Sequence, residues 1–114
     1  MSVLKIVNLE QGLPTVEQAR QNMMRELDAA RRTGHKGVKL IHGYGSSGVG
    51  GEIRLAVGSS LQQMKQRGEI AAVVFGENWA VSDSDTWSRI KRYPILKQDS
   101  DLGRKNRGIT VVWF

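Results

Sequence analysis

Apolar positions along this chain keep two rhythms, and the rhythms alternate. Val3 to Leu9 (VLKIVNL) is a short, β-branched, mostly apolar run and reads as a strand. Val16, Ala19, Met23, Leu27 and Ala30 then follow at helical spacing, with Arg20, Arg25, Glu26 and Arg31 off that face. Thr15-Val16-Glu17-Gln18 fits a capping box at the start of this helix, and Gly34 supplies a left-handed stop. Gly37 to His42 (GVKLIH) reads as a second strand. Ile53, Val57, Leu61 and Met64 mark a second helix ending at Gly68. Gly58 lies inside it, at a cost of about 1 kcal/mol relative to alanine. Ile70 to Phe75 (IAAVVF) and Gly108 to Phe114 (GITVVWF) complete four strands.

Strand–helix–strand–helix–strand order predicts parallel pairing through right-handed crossovers, with the last strand joining the same sheet and making it mixed. The expected fold is α/β, in βαβαββ order, with a long insert at about residues 76–107 before the last strand. Within the insert, SDSDTWSRIKRYP offers Ser/Asp caps, Trp87 and Ile90 on one face, and Pro94 as a stop, so it predicts a short helix. The following KQDSDLGRKNR is polar and is expected to be mobile; connections this long are often functional or disordered. Trp79, Trp113 and the four methionines read as packing residues.

Length and composition narrow the class. At 114 residues the chain, 1–114, is expected to form a single domain. It has no cysteine, which excludes disulfides, thiolate nucleophiles and cysteine-rich zinc sites and fits a cytoplasmic protein. No signal peptide is visible, and no run of about eighteen apolar residues exists to span a membrane. The net charge of +6 is unevenly placed. Residues 1–85 hold ten Lys/Arg and nine Asp/Glu, whereas residues 86–114 hold seven Lys/Arg against Asp99 and Asp101 alone. A one-ended basic excess is the electrostatic footprint of a polyanion binder, although a solvated basic loop has the same composition.

Candidate chemistry concentrates in LIHGYGSSGVGGEIR, Leu40 to Arg54. Gly43, Gly45 and Gly48 fit G-x-G-x-x-G at the junction of a strand and a helix, where free N–H groups of the helix's first turn and its dipole favour an anion. A dinucleotide fits poorly: the chain is short, the loop follows the second strand, and Glu69 is the sole acidic match. A Walker loop is excluded, since Val49-Gly50 stands where Lys-Ser/Thr is required. A tight βα turn with no ligand would look similar. His42, at the strand's carboxyl end, suits proton exchange with a phosphoryl group or pairing with a phosphate.

His42-Gly43-Tyr44-Gly45 followed by Gly51-Glu52-Ile53-Arg54 resembles the H-G-x-G and G-x-L-R elements of the Smr (small MutS-related) domain family. Asn8-Leu9-Glu10, Gly12 and Thr15 to Ala19 resemble that family's D-L-H-G-x-T-x-x-E-A opening, shifted by a residue or two, and Gly108 to Val112 resembles its closing G-x-T-V strand. The resemblance implies a compact two-layer sandwich, a mixed four-stranded sheet with two helices, and nucleic acid, DNA or RNA, as partner. It places His42 in an active site and Gly43, Gly45, Gly51 and Arg54 in a backbone-binding loop. Glu10 stands where the family has histidine, and Asn8 where it has aspartate.

Two functional expectations follow. In one, the chain binds nucleic acid without cutting it: Gly43, Gly45, Ser46, Ser47, Gly51 and Arg54 hold a phosphate backbone. The insert's Arg89, Arg92, Lys97, Arg104, Lys105 and Arg107 hold further phosphates, interleaved with Trp87 and Tyr93, which either stack on bases or pin the short helix. In the other, it is an endonuclease with His42 as general acid or base and Glu10 in place of the usual histidine. A protein- or ribosome-interaction module is a third reading. No cofactor and no metal ligand are expected, with a divalent ion entering only alongside the nuclease reading.

Overall fold

The computed structural model describes residues 2–44 and 49–114. Chain order is β1 (Leu4–Asn8), α1 (Val16–Arg32), β2 (Gly37–Ile41), α2 (Val49–Gln66), β3 (Ala72–Phe75), α3 (Ser84–Arg92) and β4 (Ile109–Trp113), with 3-10 turns at Gly76–Asn78 and Pro94–Gln98. The elements are those the apolar rhythm predicts, with strand ends trimmed by one or two residues.

Local chemistry explains the boundaries. Thr15 Oγ1 accepts from the Gln18 N–H at 3.1 Å while the Thr15 N–H donates to Gln18 Oε1 at 2.9 Å, a complete capping box that starts α1. At its end, the His35 N–H reaches back to the Ala30 carbonyl as Gly34 turns left-handed. Burial of Ala19, Met23, Leu27 and Ala30 on α1 and of Ile53, Val57, Leu61 and Met64 on α2 gives each helix one apolar stripe. Met24 departs from the expectation that all methionines pack inside: one residue off the stripe, it is exposed.

The sheet order is β1-β2-β4-β3. β1 pairs parallel with β2, while β4 pairs antiparallel with both β2 and β3. The expected parallel pairing therefore holds for β1 and β2 but not for β2 and β3, which run in the same direction with β4 between them. Three carboxyl ends, of β1, β2 and β3, consequently meet the start of β4 at one edge of the sheet.

The two faces of the sheet are covered differently. α1 and α2 close one face over Val7, Leu9, Val38, Leu40 and Val112, a wholly apolar cluster. Each large aliphatic side chain buried there contributes about 1.5–3 kcal/mol relative to exposure. The other face, which a two-layer sandwich would leave open, is covered by the insert: Trp79, Ile90 and Leu96 pack on Leu4, Ala72, Val74, Ile109, Val111 and Trp113.

The stretch expected to be mobile, residues 97–107, is instead fastened to the sheet. Lys39, in mid-β2 and 4 % exposed, points toward the insert and binds Asp99 at 3.0 Å and Asp101 at 2.7 Å. The Trp79 indole N–H donates to Asp99 Oδ1, and Asn106 Nδ2 donates to Asp101 Oδ1. Burial works to lower the Lys39 ammonium, but its hydrogen bonds to Asp101 and Asp99 prevail and hold it above its usual value. Burial likewise works to raise the Asp101 carboxyl, and its bonds to Lys39 and Asn106 hold it below the usual range. A buried ammonium fully met by two carboxylates turns a polar segment into a fixed layer.

Candidate functional site

The common edge of β1, β2 and β3 brings the expected site residues together. Parallel pairing sets Asn8 opposite Ile41, and the Leu9 N–H continues the ladder to the Ile41 carbonyl. Continued one step, that register sets Leu9 opposite His42 and Glu10 opposite Gly43, so Glu10 lies diagonally across from His42. Asn8 Oδ1 accepts from the Glu10 N–H at 2.8 Å, a turn that directs the chain out of β1. Asn8 thus has a structural use here that an aspartate would share.

Gly43, beside His42, takes a left-handed backbone conformation that favours glycine. Its φ is +70°, and a Cβ there would lie 1.9 Å from Glu10 Oε1. The Glu10 carboxylate therefore packs directly on the Gly43 backbone. The Gly43 and His42 N–H groups both donate to the Gly108 carbonyl, at 3.0 and 2.9 Å. The Gly43 N–H is consequently committed within the protein, and the loop's anion-binding capacity passes to groups further along. Gly45, Ser46 and Ser47 lie outside the described residues. Gly51 is in the first turn of α2, whose N–H groups have no partner four residues back within the helix.

His42 is 1 % exposed. Nδ1 lies 2.6 Å from the Gly43 carbonyl and Nε2 lies 2.8 Å from Thr110 Oγ1. A carbonyl only accepts, so in the neutral ring Nδ1 carries the hydrogen and Nε2 accepts from the threonine hydroxyl. Burial is the main cause that lowers the imidazole's pKa from its usual value; Arg54 adds to it, while Gly43 and Glu10 oppose. The imidazole is neutral at pH 7 and spans the ends of β2 and β4.

Arg54, half-buried on α2, reaches Glu77 just after β3, with 3.4 Å between Nη2 and Oε2. A shallow cleft of about 260 Å³ beside them is lined by Leu55, Gly58, Phe75 and Gln62. Among the described residues no three His, Asp or Glu side chains gather in a metal-ligating group.

The six expected insert cations do not form one patch. Lys97, Arg104, Lys105 and Arg107 are exposed. Arg107 immediately precedes Gly108, whose carbonyl holds the His42 turn, so the 104–107 stretch belongs to the site edge. Arg89 and Arg92 are elsewhere, lining a cleft with Lys36, Trp113 and Phe114 at the opposite edge of the sheet. Trp87 is 42 % exposed and lies near the Lys91 ammonium, whereas Trp79 and Trp113 are buried as expected.

Three residues of this arrangement escape a reading by motif, and a fourth, Thr110, falls in the closing G-x-T-V element without its bond to His42 being read from it. Thr110 shares its strand face with Val112, so period two places it beside His42. Asn106, whose Oδ1 accepts from the Gly108 N–H, carries the Asx-turn signal of Asn two residues before Gly. Lys39 is the polar odd position of GVKLI, and Glu77 directly follows the third strand.

An α/β domain with a mixed four-stranded sheet and a polar site where three strand ends meet is the class these features define. Residues 11–78 match the family model described as the Smr domain, and the chain belongs to that family. Smr domains are generally linked to nucleic-acid binding or nicking. The crystal structure of the Smr domain of Thermus thermophilus MutS2 is similar in fold, with a TM-score of 0.59 at 22 % identity over 96 % of each chain. No match was found among curated proteins. The family match includes His42 and Arg54; Asn8 and Glu10 precede it, and it ends at residue 78, ahead of all the insert's cations. No helix among the described residues is long and apolar enough to cross a membrane.

Proposed function

We propose that this chain holds the phosphate backbone of a nucleic acid at the strand-end edge. Arg54 and Gly51 with the α2 first turn form one side of the grip; Gly45, Ser46 and Ser47, candidates from the sequence, lie outside the described residues. Lys97, Arg104, Lys105 and Arg107 form its other side. One observation carries this reading. Asp99 and Asp101, the sole acids of residues 86–114, are turned inward onto Lys39, and none of the seven cations in that stretch forms an ion pair among the described residues. The positive charge of residues 86–114 is therefore left without acidic neutralisation among the described residues, which favours phosphate binding.

In this reading His42 is a positioning residue. With both ring nitrogens engaged, it holds the Gly43 turn against β4. A cleavage reading rests on a different observation: a neutral imidazole and the Glu10 carboxylate meet at Gly43. There His42 acts as general base or acid, Glu10 replaces the family's histidine, and Arg54 steadies the phosphate, with a divalent ion as a further candidate.

Fluorescence anisotropy with labelled single-stranded RNA, single-stranded DNA and duplex DNA tests the grip. Arg54→Ala and Arg107→Ala should each weaken binding by about two- to tenfold. Absence of salt-sensitive binding to all three probes would overturn both readings. The same probes, incubated with magnesium or manganese, test cutting. Cleavage lost in both Glu10→Gln and His42→Ala, with binding kept, would establish the second reading; binding without product would establish the first.

A further inference from the structure

The edge of the sheet farthest from His42 carries a second basic site. Here β2 begins and β4 ends, since Gly37 pairs with Trp113. α1 and α3 both finish at this edge, bringing Arg31, Lys36, Arg89 and Arg92 around a cleft of about 550 Å³, roughly twice the cleft beside Arg54. No acidic side chain lines it, and none of the four cations forms an ion pair among the described residues.

Three of the cations are set by aromatic rings. The Arg31 guanidinium lies 4.9 Å from the Phe114 ring centroid, Arg89 lies 5.3 Å from that of Trp113, and Arg92 lies 5.5 Å from that of Tyr93. A guanidinium held on a ring face loses conformational freedom yet keeps its N–H fork available at the rim. Arg31 also donates to the Glu69 carbonyl, which uses one of its five donors. The Trp113 indole N–H is the buried side-chain donor left without a partner among the described residues. Three pre-set forks, an unmatched lysine and aromatic walls in a cavity of ligand size suit a compact multi-oxygen anion attached to a flat ring.

We propose that the cleft bounded by Arg31, Lys36, Arg89 and Arg92 binds the phosphate of a nucleotide, with the base against the half-buried Tyr93 and Phe114. The nucleotide is either free or the 5′-terminal unit of a strand. This site is separate from the glycine-loop edge, and its test does not depend on the function proposed for that edge.

Nitrogen-15 NMR of the full chain reads it out through the indole N–H signals. Trp113 lines the cleft and is the reporter; Trp79 packs against it, with ring centroids 6.3 Å apart, and follows it only secondarily. The probes are adenosine 5′-monophosphate, adenosine, and a tetranucleotide with and without a 5′-phosphate. The expected result is a saturable shift of the Trp113 signal with the monophosphate, a smaller one of Trp79, and no response to adenosine. A shift with the 5′-phosphorylated strand alone would assign the site to strand ends; a shift with the monophosphate would assign it to free nucleotide as well. Arg92→Gln, an exposed position whose change leaves the core intact, should weaken binding about tenfold, and Arg54→Ala should leave it unchanged. The proposal is overturned if neither phosphorylated probe moves Trp113, if adenosine moves it equally, or if Arg92→Gln binds as the parent does.

Discussion

The two faces of the sheet are held by different physics. On one, α1 and α2 close over aliphatic side chains, and every contact follows from apolar spacing. On the other, the insert packs a few large side chains around a buried ammonium and its two carboxylates. The first face needs only the right volume at each position. The second also needs three charged groups to arrive together, because each is costly when buried alone. That polar joint reaches the site: Asp101 holds Asn106, Asn106 holds Gly108, and the Gly108 carbonyl receives the His42 and Gly43 N–H groups. Fastening the insert and shaping the site edge are one arrangement.

Breaking the polar joint should have the largest effect. Lys39→Ala leaves Asp99 and Asp101 uncompensated and should cost about 3–5 kcal/mol in chemical unfolding. Its amide signals from residues 99–110 should also move. If those signals hold still, the link between joint and site edge is absent. On the apolar face, Leu61→Ala should cost about 2–5 kcal/mol through cavity formation while leaving the site edge in place.

Acid sharpens the contrast without mutation. Asp101's folded-state pKa is lowered, so its contribution is present above the unfolded aspartate value, near pH 4, and is lost as pH falls through the folded value. His42's lowered pKa has the same sign in a higher window. Its neutral form stabilises the fold above the unfolded histidine value, about 6.5, and that contribution falls as the pH drops below it. Hydrogen exchange between pH 7 and pH 3 should therefore show residues 99–110 losing protection before the α1 and α2 cores. Simultaneous loss would place both faces in one cooperative unit.

What the sequence makes legible divides along the same faces. Helical and strand periods place Met23, Leu27, Val57 and Leu61 correctly because local spacing alone decides which side chains meet. The capping box at Thr15 is local in the same sense. Pairing of Lys39 with Asp99 and Asp101 spans some sixty positions, and no spacing rule connects them. The polar stretch after Pro94 therefore looks unstructured until the sheet supplies its counter-charge. Strand order is hidden for a related reason: β4's place between β2 and β3 follows from long-range pairing. At the site, motif reading reaches His42, Gly43, Arg54 and the strand that carries Thr110, but passes over Glu77 and the bond between Thr110 and His42, which form only when strand ends converge. The basic residues are legible as a count and not as a layout, since Arg89 and Arg92 face one edge and Arg104 to Arg107 the other.

The most direct test of the central claim is the salt dependence of nucleic-acid affinity, compared between the parent chain and an Arg104→Gln, Lys105→Gln, Arg107→Gln variant. If these cations contact phosphates at the His42 edge, the parent's log K falls linearly with log salt. The variant's slope should then be shallower by about one for each phosphate contact removed. Equal slopes and equal affinities in the two proteins would contradict the claim.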